Sequence, residues 1–173
     1  FDPVSSSKIR TYITLNKGVD LTVAESLIVY VNVPAANTLL FNFRTDTDGS
    51  YVRSMTLKSG GTYYVAAKDD TEWTPKTAVY SGDPAAANQT YTGGIVFDGA
   101  FEGYIKLPVA SIGCADEPLT AVKRGLASLV NIECKFKGLS DKYGNNAVVG
   151  PYFMATTDST STELKLNKLE GDI

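Results

Sequence analysis

From residue 97 to 112 the chain reads FDGAFEGYIKLPVASI, and its middle alternates between apolar and polar positions. Phe101, Gly103, Ile105 and Leu107 fall on one side of an extended chain, with Glu102, Tyr104 and Lys106 on the other. That two-residue period belongs to a half-buried strand. Pro108 ends it, because proline cannot donate to a central ladder. Residues 129–136 repeat the design, with Val130, Ile132, Cys134 and Phe136 opposed to Asn131, Glu133 and Lys135. Two such strands need a second apolar layer, and the first half of the chain supplies it. Residues 8–15 (KIRTYITL) alternate up to a turn at Asn16, Lys17 and Gly18. Residues 27–33 (LIVYVNV) place Leu27, Val29, Val31 and Val33 opposite Ile28, Tyr30 and Asn32. Residues 38–45 place Leu39, Phe41 and Phe43 inward and Leu40, Asn42 and Arg44 outward.

Turn chemistry separates these runs. Asp48-Gly49 predicts a hairpin, since both central residues of such a turn need positive φ, with residues 51–57 as the returning strand. Ser59-Gly60-Gly61 precedes a strand over 62–67 (TYYVAA). Residues 81–94, rich in Gly, Pro, Ala and Asn, read as a long loop. Residues 119–127 hold one helical turn. Residues 141–146 (DKYGNN) turn the chain into a strand over 147–155, and a last strand spans 162–166. About ten short strands with turn signals between them predict an all-β fold, a two-sheet antiparallel β-sandwich or a barrel. The chain is read as one domain over residues 1–166, with 167–173 as a linker or tail.

Composition narrows the functional classes. A chain of 173 residues with ten Tyr and seven Phe is one strand-rich domain, long enough to bury a core without staples. A net charge of −3 gives no electrostatic reason to expect nucleic acid. No apolar stretch approaches the roughly 18 residues of a membrane span. The chain starts at Phe1 without a signal-like segment, which suits a mature fragment or a module of a larger multidomain protein. Histidine is absent, which removes the usual triads, most zinc sites and the commonest general base. An enzyme would have to work by carboxylates, and no opposed pair appears. Cys114 and Cys134 lack metal spacing. Cys134 reads as a buried free thiol, with a Cys114–Cys134 disulfide as the alternative in an oxidising compartment.

The strand FEGYIKLP, the later LASLVNIECKFKG and the last strand near GPYFMAT together resemble the galactose-binding-like jelly-roll modules of secreted bacterial polysaccharide-degrading proteins. Phe101, Gly103, Tyr104, Ile105, Lys106, Leu107 and Pro108 carry the first match, and Leu129, Ile132, Cys134 and Phe136 the second. The early LIVYVNVP-AAN-TLLFNF region is also similar. The resemblance implies a jelly roll, a secreted or cell-surface location and binding of polysaccharide or oligosaccharide. It also brings in a structural calcium ion, for which this chain shows no matching acidic pair.

Sugar recognition needs aromatic rings against pyranose faces and polar groups for hydroxyls. Two arrangements offer them. Trp73, the only tryptophan, either lies exposed beside Tyr80 and Tyr91 at a loop edge or sits in the core, and the core placement is favoured. Alternatively Tyr30, Asn32, Asn42, Arg44, Tyr104 and Lys106 form a polar-aromatic platform, if their strands are neighbours; otherwise they are an ordinary solvated face. Asp46-Thr47-Asp48-Gly49 fails as a calcium loop, because Arg44 and Met55 stand where acidic ligands belong. Asp69, Asp70 and Glu72 read as a solvated turn. Asn88-Gln89-Thr90 fits a glycosylation sequon, read as idle. The leading expectation is a non-catalytic carbohydrate-binding module; the alternative is a structural or adhesive β-sandwich of a cell-surface or multi-enzyme assembly that binds protein.

Overall fold

The computed structural model describes residues 9–45, 54–115, 117–139, 147–156 and 158–162, with backbone alone at 9–13 and 16–18. Two antiparallel sheets pack face to face in an all-β sandwich. The larger sheet, sheet A, runs in the order β1 (Ile9–Val19), β11 (Leu129–Lys137), β3 (Asn37–Thr45), β4 (Ser54–Leu57) and β10 (Ile112–Gly113). Its β3 also pairs, through residues 37–39, with β8 (Gly93–Phe97), which holds β7 (Val79–Tyr80) at its far edge. The smaller, sheet B, is ordered β12 (Val148–Ala155), β2 (Ser26–Val33), β9 (Phe101–Pro108), β5 (Thr62–Ala67) and β6 (Thr74–Thr77).

The core lies where the inward residues of the two sheets meet, and the alternations account for it. Leu27, Val29, Val31 and Val33 of β2 and Ile105 and Leu107 of β9 pack against Leu39, Phe41 and Phe43 of β3 and Ile132, Cys134 and Phe136 of β11. Burial of these side chains contributes roughly 1.5–3 kcal/mol each. Cys134 is a buried thiol, and no disulfide joins it to Cys114. The Cys134 Sγ lies 3.2 Å from the Tyr152 hydroxyl on β12, a polar contact between the two sheets.

Several local expectations change. The strand β1 runs through residues 16–18 to Val19, and a register shift against β11 takes up the irregularity expected there as a turn. A second shift at Leu129–Asn131 puts Leu129 in the core and leaves Val130 half-buried. The helical segment is α1 (Leu119–Leu126), eight residues rather than one turn. It buries Val122 and Leu126 against the main core and leaves Leu119 exposed. The hairpin at 46–49, the turn at 141–146 and all but the first residue of the strand at 162–166 lie outside the described residues, as do residues 167–173.

Candidate functional site

The residues expected to form one platform are divided between the two sheets. Asn42 and Arg44 belong to β3 of sheet A, whereas Tyr30, Asn32 and Tyr104 belong to β2 and β9 of sheet B. Because both sets alternate away from the shared core, they lie on opposite outer surfaces. On sheet A the arrangement is electrostatic. Arg44 Nη2 lies 3.2 Å from Glu133 Oε2, and Lys135 Nζ lies 3.3 Å from the other oxygen of the fully buried Glu133. The latter contact is ionic without hydrogen-bonding geometry. Asn42 accepts a hydrogen bond from the Ser54 hydroxyl. These side chains pair with one another and offer no aromatic face.

On sheet B the register of β2 against β9 builds three cross-strand rows on the outer surface. The first places Phe153, Ile28, Lys106 and Tyr64 side by side, the second Tyr30, Tyr104 and Ala66, and the third Val148, Asn32 and Glu102. Lys68, just past the end of β5, extends the third row, since its amide donates to the Glu102 carbonyl. Successive rows are roughly 7 Å apart, two residues along a strand.

The first row is covered. Trp73 lies over it, only 4% exposed, in a small apolar cluster with Ile28, Tyr64, Ala66 and Ala155 that is separate from the main core. Its amide donates to the Thr162 carbonyl, and the Lys106 ammonium donates to the carbonyl of Ser161. Residues 158–162 therefore form a strap across this end of the surface. Trp73 is buried, as the core placement required, but in an outer layer of sheet B. It shares no surface with Tyr80, which belongs to β7 of sheet A. Tyr80 donates its hydroxyl to the Asp83 carbonyl at 2.9 Å. Tyr91 bridges to Lys58, and its ring lies so close over Gly113 that a β-carbon there would collide with it. Both tyrosines are committed to holding the 81–92 stretch in place.

The second and third rows remain reachable. Tyr30, Asn32, Glu102 and Tyr104 are all half-buried. The Tyr30 and Tyr104 rings meet edge to face, with centroids 5.6 Å apart and planes at 68°. Tyr30 donates its hydroxyl to Glu102 Oε1 at 2.8 Å, and Lys68 Nζ lies 3.2 Å from Glu102 Oε2. The hydrogen bond from Tyr30 and the Lys68 ammonium hold the Glu102 carboxyl below its usual range. The same contacts push up Tyr30 and Lys68, each chiefly through its hydrogen bond to Glu102. At neutral pH the trio is a fixed carboxylate between a phenol and an ammonium. Each carboxylate oxygen retains a second lone pair for a further donor.

The two-residue period put Glu102 on the same side as Tyr104 without singling it out as a site residue, and Lys68 becomes its neighbour only when β9 is aligned with β5. Among the described residues no group of three or more His, Cys, Asp or Glu side chains stands close enough to hold a metal ion. Among those residues, too, no helix is long and apolar enough to cross a membrane. No protein-family model, curated protein or solved structure matches the chain.

Proposed function

We propose that the chain is a non-catalytic carbohydrate-binding module, of the galactose-binding-like jelly-roll kind, whose site is the outer surface of sheet B around Tyr30 and Tyr104. The observation that carries this reading is the cross-strand tyrosine pair beside the Glu102–Lys68 ion pair and Asn32. An aromatic face takes the C–H-rich side of a pyranose, while an amide, a carboxylate and an ammonium at its rim serve hydroxyls in both donor and acceptor roles. Edge-to-face rings mean that one tyrosine stacks and the other walls the sugar in, so the site holds one ring firmly rather than a flat ribbon of several. In this reading the module belongs to a secreted or cell-surface bacterial protein and holds polysaccharide without altering it.

The test is affinity electrophoresis of the purified chain through gels containing a panel of plant and microbial polysaccharides. Tyr104→Ala is expected to weaken retention on the responsive glycan about tenfold, the order of one lost stacking contact. Its Tm is expected to stay within a few degrees, because Tyr104 is half-buried and outside the main core. Absence of retention on the whole panel would overturn the reading in favour of a protein-binding role. Unfolding of the variant would move Tyr104 from site to scaffold, and Glu102→Gln then tests the same surface without removing a ring.

A further inference from the structure

The two sheets do not close evenly along their flank. Between the edge strand β6 of sheet B and β8 of sheet A they part around a cleft of about 230 Å³. Its inner wall is aromatic and aliphatic: Tyr63 and Val65 from β5, Phe97 from β8 and Phe101 from the start of β9. The Phe97 and Phe101 rings lie 5.1 Å apart with their planes at 31°. Tyr63, on sheet B, and Val96, on the facing sheet, both line it.

Two features distinguish this cleft from a packing fault. Apolar surface is left uncovered in it: Phe101 and Val65 are only half-buried, and Val96 is 44% exposed. Its mouth also carries one cation and one anion, Lys76 on β6 and Asp98 on the turn before β9, both exposed. Among the described residues neither forms an ion pair. A ligand with an apolar face and hydroxyls that both donate and accept would match this lining. The volume lies below the roughly 300–1,000 Å³ of sites for drug-sized molecules, which limits the occupant to about one ring.

We propose that this flank cleft is a second carbohydrate site, which holds a single pyranose against Phe101 while Lys76 and Asp98 bond its hydroxyls. The proposal extends the carbohydrate reading of the outer face of sheet B. Phe101 and Glu102 are consecutive residues of β9 that point to opposite sides of sheet B. The cleft and the tyrosine surface therefore open on either side of one strand end. A branch or chain end seated in the cleft would raise the effective concentration of the rest of the glycan at the tyrosines, and avidity would exceed either contact alone.

The experiment is a ¹⁵N-HSQC titration of the intact chain with glucose, galactose, mannose and xylose, one at a time. At least one sugar is expected to shift the amides of residues 63–65 and 96–101 with a millimolar Kd, the range that about a dozen heavy atoms reach at ordinary ligand efficiency. Lys76→Ala and Asp98→Ala, both at exposed positions, are each expected to weaken that Kd about tenfold while Tm holds. Tyr104→Ala is expected to leave it unchanged. Saturating shifts confined to residues 30–32 and 102–104 would overturn the cleft and leave the tyrosine surface standing. Shifts in the cleft that persist in both charge variants, or that arise with benzoate but with none of the sugars, would also overturn the proposal. So would the absence of any cleft shift across the four titrations.

Discussion

Lys106 offers the sharpest test of how the outer surface of sheet B is built. It is only 3% exposed, although it alternates away from the main core. Its ammonium lies 4.2 Å from the centre of the Tyr64 ring and 5.4 Å from that of Trp73, and it donates to the Ser161 carbonyl. The ring contacts contribute about 1–2 kcal/mol each when desolvated, and a hydrogen bond from a charged donor about 1.5–3 kcal/mol. Against them stand a desolvation cost of several kcal/mol and about 2 kcal/mol of lost lysine rotamer freedom. The opposing contributions are of equal size. Lys106→Met keeps the stem and adds sulfur–aromatic contact, so its expected change in stability is within about 1 kcal/mol of zero. Lys106→Ala removes the stem and opens a cavity beneath Trp73, at an expected cost of about 2–4 kcal/mol.

A pH signature separates the charge from the packing. Burial, opposed by the nearby Asp158 carboxylate, holds the Lys106 pKa below the ordinary lysine value. Between the folded and the unfolded pKa the unfolded chain binds more protons. The wild type therefore gains stability as pH rises from the folded value towards the unfolded one of about 10.4. Lys106→Met lacks that gain. Urea denaturation followed by far-UV circular dichroism at pH 7, 9 and 10 measures both effects. A loss above about 3 kcal/mol in the Met variant at pH 7 would refute the balance drawn here. So would an identical alkaline response in the two proteins.

Three further outcomes follow from other contacts. Burial pushes the Cys134 thiol up to about 12, so a maleimide at pH 8 is expected to label one thiol per native chain, at Cys114, and two in urea; two labelled natively would contradict the buried contact with Tyr152. Gly103→Ala would drive a β-carbon into the Ala66 carbonyl and against Ala67 Cα at 2.8 Å, and the strands on both sides of β9 leave little room to shift. Its expected cost, read from thermal and urea unfolding, is about 2–4 kcal/mol. With Glu102 held low and Tyr30 held high, glycan retention is expected to be flat from about pH 5 to 9; a midpoint inside that window would remove the trio from the site.

The alternating runs were legible because each reports which face of a strand meets the core. Leu39, Phe41 and Phe43 and the four inward residues of β2 are buried as the period requires. What the period does not report is whether something else covers the other face. Lys106 and Glu133 alternate outward and are nevertheless buried, the first beneath Trp73 and the strap at 158–162, the second between Arg44 and Lys135. Short edge pieces were missed for a different reason. Two-residue strands such as β7 and β10 have no period, β6 (TPKT) is wholly exposed, and β8 opens on two glycines. The site was half legible. Tyr30 and Tyr104 were marked as outward aromatics, but their opposition depends on a register between strands some seventy residues apart, which no local pattern carries.

The same limit explains why Asn42 and Arg44 read as partners of Tyr30, and it yields a discriminating prediction. All three alternate outward, yet β3 lies in sheet A and β2 in sheet B. Stacked sheets are about 10 Å apart, and each outer surface adds a layer of side chains beyond that. A glycan lying along the tyrosines therefore makes no contact with Arg44, which is held by Glu133 on the far side. Arg44→Ala combined with Asn42→Ala is expected to leave polysaccharide retention within twofold of wild type, at a stability cost of about 1–3 kcal/mol from the exposed half of a buried ion pair. Tyr30→Ala combined with Tyr104→Ala is expected to abolish retention. Equal losses in the two double variants would mean that the ligand wraps round the sandwich edge, and a loss only in the Arg44 variant would transfer the site to sheet A.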